Sequence, residues 1–247
     1  MFKKHSLWLT PLLLLLFITP FSSQLDLTIA KMAYSTNPEC DGFFSTPFFD
    51  FVYIWGVVPA QAICFVAAIM LIASIWAESL RKYRSICLLL SVTLCLGSGF
   101  ITNVVLKEHW GRPRPRQIVD FGGNEPFRAY YQPVLSSTPV PMRSFPSGHS
   151  TCGFYFFCFY FIGKRLSRPL LARFGIVSGL ALGAVLSVAR IIQGGHFMTD
   201  ILISAIIMWL TCYLVDYLIF QAPLFSNFRK NFLSIDDIGL TKEPHTA

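Results

Sequence analysis

The sequence predicts an all-α, integral membrane bundle of six helices, and three observations predict it. Apolar residues make up 54% of the chain and charged residues only 13%, against about 25% charged in an ordinary soluble domain. The apolar residues fall in long runs, as bilayer-spanning segments do. Lys and Arg collect between those runs on one side, as the positive-inside rule requires of short cytoplasmic loops.

The runs are Leu7–Phe21, Phe51–Trp76, Ile86–Leu106, Thr151–Ile162, Leu170–Ala189 and Phe197–Phe220. A crossing helix needs about 20 residues. The first and fourth runs are short and reach that length only with neutral neighbours. The first follows Lys3, Lys4 and His5, like a secretory signal, but lacks an A-x-A cleavage site and is read as an uncleaved first helix. If all six cross, four basic groups share one side: Lys3 and Lys4; Arg81, Lys82 and Arg84; Lys164, Arg165 and Arg168; Arg229 and Lys230. That side is read as the cytoplasm, with both termini on it.

The opposite side holds Ser22–Asp50 and Lys107–His149. Within the first, Leu25–Met32 predicts a short interfacial helix. The second is long for a connection and carries arginines where topology disfavours them. One domain is expected over residues 1–247, with its core at 51–220, the first span and interfacial segment at 1–50, and a cytoplasmic tail at 221–247. The net charge of +7 flanks apolar runs and forms no continuous stripe, so nucleic acid is not an expected partner. The seven cysteines lack zinc-type pairing. They are read as small buried hydrophobes, except Cys40, which lies outside the runs.

Three polar clusters meet on the outer side. They are Lys107–Pro115, Pro146–His149 and Arg190–Asp200. Lys107, Arg114 and Arg190 supply cations, and a guanidinium can grip phosphate through paired hydrogen bonds. Ser147 and Gly148 stand where a helix begins, so their N–H groups are expected to face an anion. His196 and Asp200 are four apart, on one face of a helix. The carboxylate can hold one ring nitrogen protonated while the other attacks. His149 is then free to protonate the leaving oxygen. Arg112, Arg116, Arg128 and Arg143 are candidate contacts to a larger headgroup, or solvated loop charges. Taken singly, each residue also has an ordinary structural role open to it. Three clusters on one face are harder to explain that way, since ionisable groups at membrane depth are costly and tend to be functional.

These clusters resemble the signature of the type 2 phosphatidic acid phosphatase superfamily, which includes vanadium haloperoxidases. KxxxxxxRP is matched by Lys107, Arg114 and Pro115, and PSGH by Pro146, Ser147, Gly148 and His149. SRxxxxxHxxxD is matched by Arg190, His196 and Asp200, with Ala189 in place of the serine. The resemblance covers roughly Phe51 to Phe220. It implies a phosphohistidine on His196 oriented by Asp200, and His149 as acid and then base. It implies phosphate binding by Lys107, Arg114, Ser147, Gly148 and Arg190, with no metal or cofactor. The stretch 107–115 followed by Phe121-Gly122-Gly123 looks like the bacterial lipid A phosphatases within this family. That implies a bacterial inner membrane with the site facing the periplasm. Undecaprenyl diphosphate, phosphatidylglycerol phosphate and phosphatidic acid are rival substrates. A lipid phosphotransferase shares the first chemical step. An anion transporter is disfavoured because the charges sit at span ends and not near mid-membrane.

Overall fold

The computed structural model describes residues 2–34, 42–134 and 142–233. Among the described residues the elements are helical, with one isolated bridge between Ile118 and Glu125. Helix α1 (Phe2–Ile18) passes through a tight turn at Thr19–Phe21 directly into α2 (Ser22–Ala33). Both residues flanking the turn keep right-handed helical dihedrals, so the axis continues. The expected interfacial helix is therefore corrected. Its residues extend the first span, which is long and apolar over Trp8–Ala33, and Ser22, Asp26 and Ala30 are buried in the bundle.

Helices α3 (Pro47–Trp55) and α4 (Val58–Ala73) form the second long segment. Thr46 caps it by accepting the Phe49 N–H at 3.4 Å, and Pro47 takes the first helical position, where a missing N–H costs nothing. Helix α5 (Arg84–Thr93) continues as a π-helical stretch, Leu94–Leu106, and ends in the turn Lys107–His109. The wide winding is visible at its end, where the Lys107 N–H bonds the Thr102 carbonyl five residues back. Such windings gather at functional sites.

Helices α6 (Gly148–Phe154) and α7 (Cys158–Arg165), joined by a tight turn at Tyr155–Phe157, make the fourth pass. Helices α8 (Pro169–Ile192) and α9 (Met198–Phe220) complete the bundle. Five helices among the described residues are long and apolar enough to cross a membrane, one fewer than the six expected. The exception is the fourth pass, whose ends are polar and whose middle is buried against other helices. Tyr155, Phe157, Cys158, Phe161 and Ile162 are core residues, and the Tyr155 hydroxyl donates to the Leu90 carbonyl at 3.1 Å.

Small residues let this central pass approach α8. A Cβ on Gly153 would lie 2.6 Å from Gly183 Cα, and one on Gly163 would lie 2.3 Å from Ala172 N. The contacts run in opposite order along the two chains, so the helices are antiparallel and packed nearly backbone to backbone, as membrane helices do without a hydrophobic driving force. The six described cysteines are free, and four of them, Cys87, Cys152, Cys158 and Cys212, are buried. Cys95 is exposed. Cys40 and the tail from residue 234 lie outside the described residues.

Alternation of direction gives the bundle two unlike ends. One carries Arg84, which donates to Ser74 and to the Phe232 carbonyl, and the bidentate Arg165–Asp216 pair at 2.9 and 2.6 Å. The other end collects Tyr53, Lys107, His149, Arg190 and His196.

Candidate active site

Helix starts and ends supply this site, since their backbone groups lack helical partners. Ser147 is the N-cap of α6 and its Oγ accepts the Ser150 N–H at 3.3 Å. Its own N–H donates to Ser204 Oγ at 2.9 Å, so the expected Ser147 amide contact to an anion is corrected. The N–H groups of Gly148 and His149 remain in the unpaired first turn. Gly148 is required there, because a Cβ would sit 2.8 Å from Asn103 Oδ1 and 3.2 Å from Lys107 Nζ. Asn103 in turn accepts from Lys107 at 3.2 Å and donates to the Ser98 carbonyl at 2.7 Å.

Lys107, Arg114, Arg190 and His149 lie close enough to feel one another's charge. Such crowding of cations calls for an anion. Arg190 donates to Gln193 Oε1 at 2.6 Å, and its guanidinium stands 4.7 Å from the Tyr53 ring centroid. Gly195 makes room for it, since a Cβ there would lie 2.2 Å from Arg190 Nη2. The same Tyr53 ring stacks on His149, centroids 4.5 Å apart at 16°. Arg114 Nε and Arg190 Nε are buried without a hydrogen-bond partner among the described residues. Burial, with neighbouring Arg116 and Arg143 adding to it, pulls the Arg114 pKa down.

His196 is 2% exposed. Its Nδ1 lies 2.6 Å from the Ser144 carbonyl and 3.6 Å from Asp200 Oδ2. A carbonyl only accepts, so Nδ1 carries the hydrogen and Nε2 keeps a lone pair. Burial pushes the His196 pKa down to about 4, against the pull of Asp200, so the ring is neutral at neutral pH. The carboxylate thus acts largely through Ser144, whose Oγ donates to Asp200 Oδ2 at 2.6 Å. Asp200 also accepts the Phe197 N–H at 2.9 Å.

Arg112, expected among headgroup contacts, is corrected most sharply. Its side chain is fully buried, donating to Asp200 Oδ1 at 2.5 Å, Asp26 Oδ2 at 2.7 Å, Thr199 Oγ1 at 2.9 Å and the Arg128 carbonyl at 2.9 Å. Burial opposes its charge, but Asp200 and Asp26 outweigh burial and raise its pKa. Of the other three, Arg143 pairs with Glu108 at the surface, Arg116 is exposed and Arg128 is half-buried.

Sequence reasoning missed Asp26, Tyr53, Asn103, Ser144 and Thr199. Only Asp26 carried a signal, as an ionisable residue beside an apolar run. A cavity of about 460 Å³ adjoins the site. Lys107, Gly148 and His149 line one part, with Asn103, Ser98 and Gln61 beyond, and Leu94, Cys95, Gly99, Cys152 and Val57 complete it.

A family model described as the PAP2 superfamily matches residues 86–223. The chain is 29% identical over 157 residues to a lipid A 4'-phosphatase of Francisella tularensis subsp. novicida, covering 63% of this chain and 68% of that one. It is 35% identical over 125 residues to a lipid A 4'-phosphatase of Rhizobium leguminosarum, covering 50% of this chain and 48% of that one. The Rhizobium etli protein of the same name is 34% identical over 124 residues, 49% of this chain and 44% of its own. The chain thus spans about two thirds of the first relative and about half of the other two. No solved structure matches it. With more than half of its length inside that family model, the chain belongs to the PAP2 superfamily.

Proposed function

We propose that the protein is a membrane phosphatase that hydrolyses a phosphomonoester of lipid A at the outer face of the bacterial inner membrane. The observation that carries this is the cavity joining the cationic cluster to the side of α4 and α5. A phosphate ester with an acyl body fits a site that is cationic at one end and bounded by spanning helices at the other. Lipid A is favoured over the other lipid phosphates because the relatives carry that activity in their names. The outer face follows from Arg81, Lys82, Lys164 and Arg168 at the far end of the bundle.

In this reading Lys107, Arg114, Arg190 and the first-turn N–H groups of α6 hold the phosphate. His196 Nε2 attacks phosphorus and the bond to the lipid oxygen breaks. His149 donates a proton to that oxygen as it leaves. His149 then takes a proton from water, whose oxygen attacks the phosphohistidine. The N–P bond breaks, releasing inorganic phosphate and restoring neutral His196. Ser144 and Asp200 stabilise the imidazolium in between.

The test is phosphate release by the purified full chain from lipid A, undecaprenyl diphosphate, phosphatidylglycerol phosphate and phosphatidic acid, each with and without excess EDTA. Lipid A should be turned over fastest, equally in EDTA, with an acid-labile phosphoryl group trapped on His196. Turnover of none of the four overturns the phosphatase reading. Preference for another lipid overturns the substrate.

A further inference from the structure

We propose that Asp26, on the first helix and outside the family-matched residues, is a positioning residue for the nucleophile. It would fix Asp200 through Arg112 and Thr199, and thereby the His196 ring. The inference rests on His196 being the nucleophile.

Three features of α9 motivate it. Its N-cap is Phe197, which has no side-chain oxygen with which to cap the first turn. Asp26 supplies that oxygen from another helix, with Oδ1 accepting the Thr199 N–H at 2.8 Å. Its Oδ2 accepts the Thr199 hydroxyl and Arg112 Nη2, each at 2.7 Å. Arg112 Nη1 then holds Asp200. Asp26, Arg112 and Asp200 are each fully buried, so solvent screens none of these bonds.

The charges also make a countable set. Two carboxylates face one guanidinium, leaving one net negative charge beside His196. Without Asp26, Arg112 would neutralise Asp200 alone, and the cation that forms on His196 during phosphoryl transfer would lose its counter-charge. The other charged groups acting on His196 are Arg190 from α8 and Lys107 from the end of α5, and both oppose that cation. His149 faces it from α6.

The experiment compares wild type, Asp26→Asn and Asp26→Glu, as full chains in detergent, with p-nitrophenyl phosphate across pH 3.5 to 8.5, a range set around the usual histidine pKa of about 6.5. Asp26→Asn should lower kcat by about tenfold or more while KM changes less than about twofold. Its acid limb should move to lower pH, because a lost negative charge lowers the His196 pKa. Asp26→Glu, which keeps the charge, should leave the limb in place. A loss of active protein alone would lower apparent kcat without moving the limb, and that result overturns the proposal, as does a wild-type profile. If Asp26→Asn does not fold, Thr199→Val breaks the same link more mildly and should lower kcat at least about threefold at unchanged KM. Wild-type kcat in that variant overturns it. His196→Ala separates the two ideas. Activity in that variant sinks the nucleophile reading, whereas an inactive His196→Ala beside a wild-type Asp26→Asn sinks only the role of Asp26.

Discussion

Arg112 and Arg114 stand two residues apart in one loop and do opposite things. Arg112 is fully buried and meets two carboxylates, a hydroxyl and a carbonyl. Arg114 is half-buried, with a buried Nε that has no partner among the described residues. A cation whose donors are all taken belongs to the architecture, because removing it strands buried carboxylates. A cation with unused donors beside a cavity belongs to the ligand.

The comparison is anchored by the group both arginines serve. His196→Ala should lower phosphate release by at least about 10⁴-fold, since loss of a nucleophile leaves only binding and charge stabilisation. Its thermal midpoint should stay near wild type. Substantial turnover in this variant would remove the reason for grouping the two arginines around one reaction.

The arginines themselves should then separate cleanly. Arg114→Gln is expected to reduce kcat/KM by roughly 10- to 100-fold, the equivalent of a charge-assisted contact of about 1.5–3 kcal/mol, with stability unchanged. Arg112→Gln leaves Asp26 and Asp200 as unpaired buried charges and should destabilise the fold by about 3–5 kcal/mol. Thermal melts and kinetics on both variants check this. Equal melting losses in the two would erase the distinction.

A milder effect follows from pH. An unfolded histidine titrates near 6.5, whereas folded His196 titrates at about 4. Between those values the unfolded chain binds a proton that the folded chain does not. The stability contributed by neutral His196 is therefore complete above about pH 6.5 and is lost as pH falls to about 4, by at most about 3 kcal/mol. Melting curves of wild type and His196→Asn over that window should converge at the acid end.

The smallest change is expected at Arg143, whose surface pair with Glu108 has side chains 49% and 40% exposed. Such pairs contribute about 0–1 kcal/mol. Arg143→Gln should alter p-nitrophenyl phosphate turnover by less than about threefold. A larger loss would place Arg143 with Arg114.

Much of the bundle was legible because apolar runs and basic loops report directly on the bilayer. The fourth pass was harder to read. Its polar ends and many aromatics reflect helix neighbours and not lipid. Leu25–Met32 looked interfacial because its alternating polarity does not reveal that Asp26 has Arg112 waiting for it. The three clusters around Lys107, His149 and His196 were visible as motifs. The use made of Arg112 was not, since sequence spacing is silent on which of two arginines turns inward. Tyr53 and Ser144 reach the site by tertiary packing alone.

The π-helical winding of Leu94–Leu106 also makes this segment sensitive to length. Each residue of an α-helix advances about 100° around the axis, and a wider turn stores an extra residue without lengthening the helix by a full step. Deleting one residue there would let the segment relax to ordinary winding and swing everything after it around the axis. Lys107, Asn103 and the loop bearing Arg112 and Arg114 would then point away from Gly148. The length of this stretch is thus a timing element for the site. A single-codon deletion within it should be far more harmful than the same deletion in the short turn between α7 and α8.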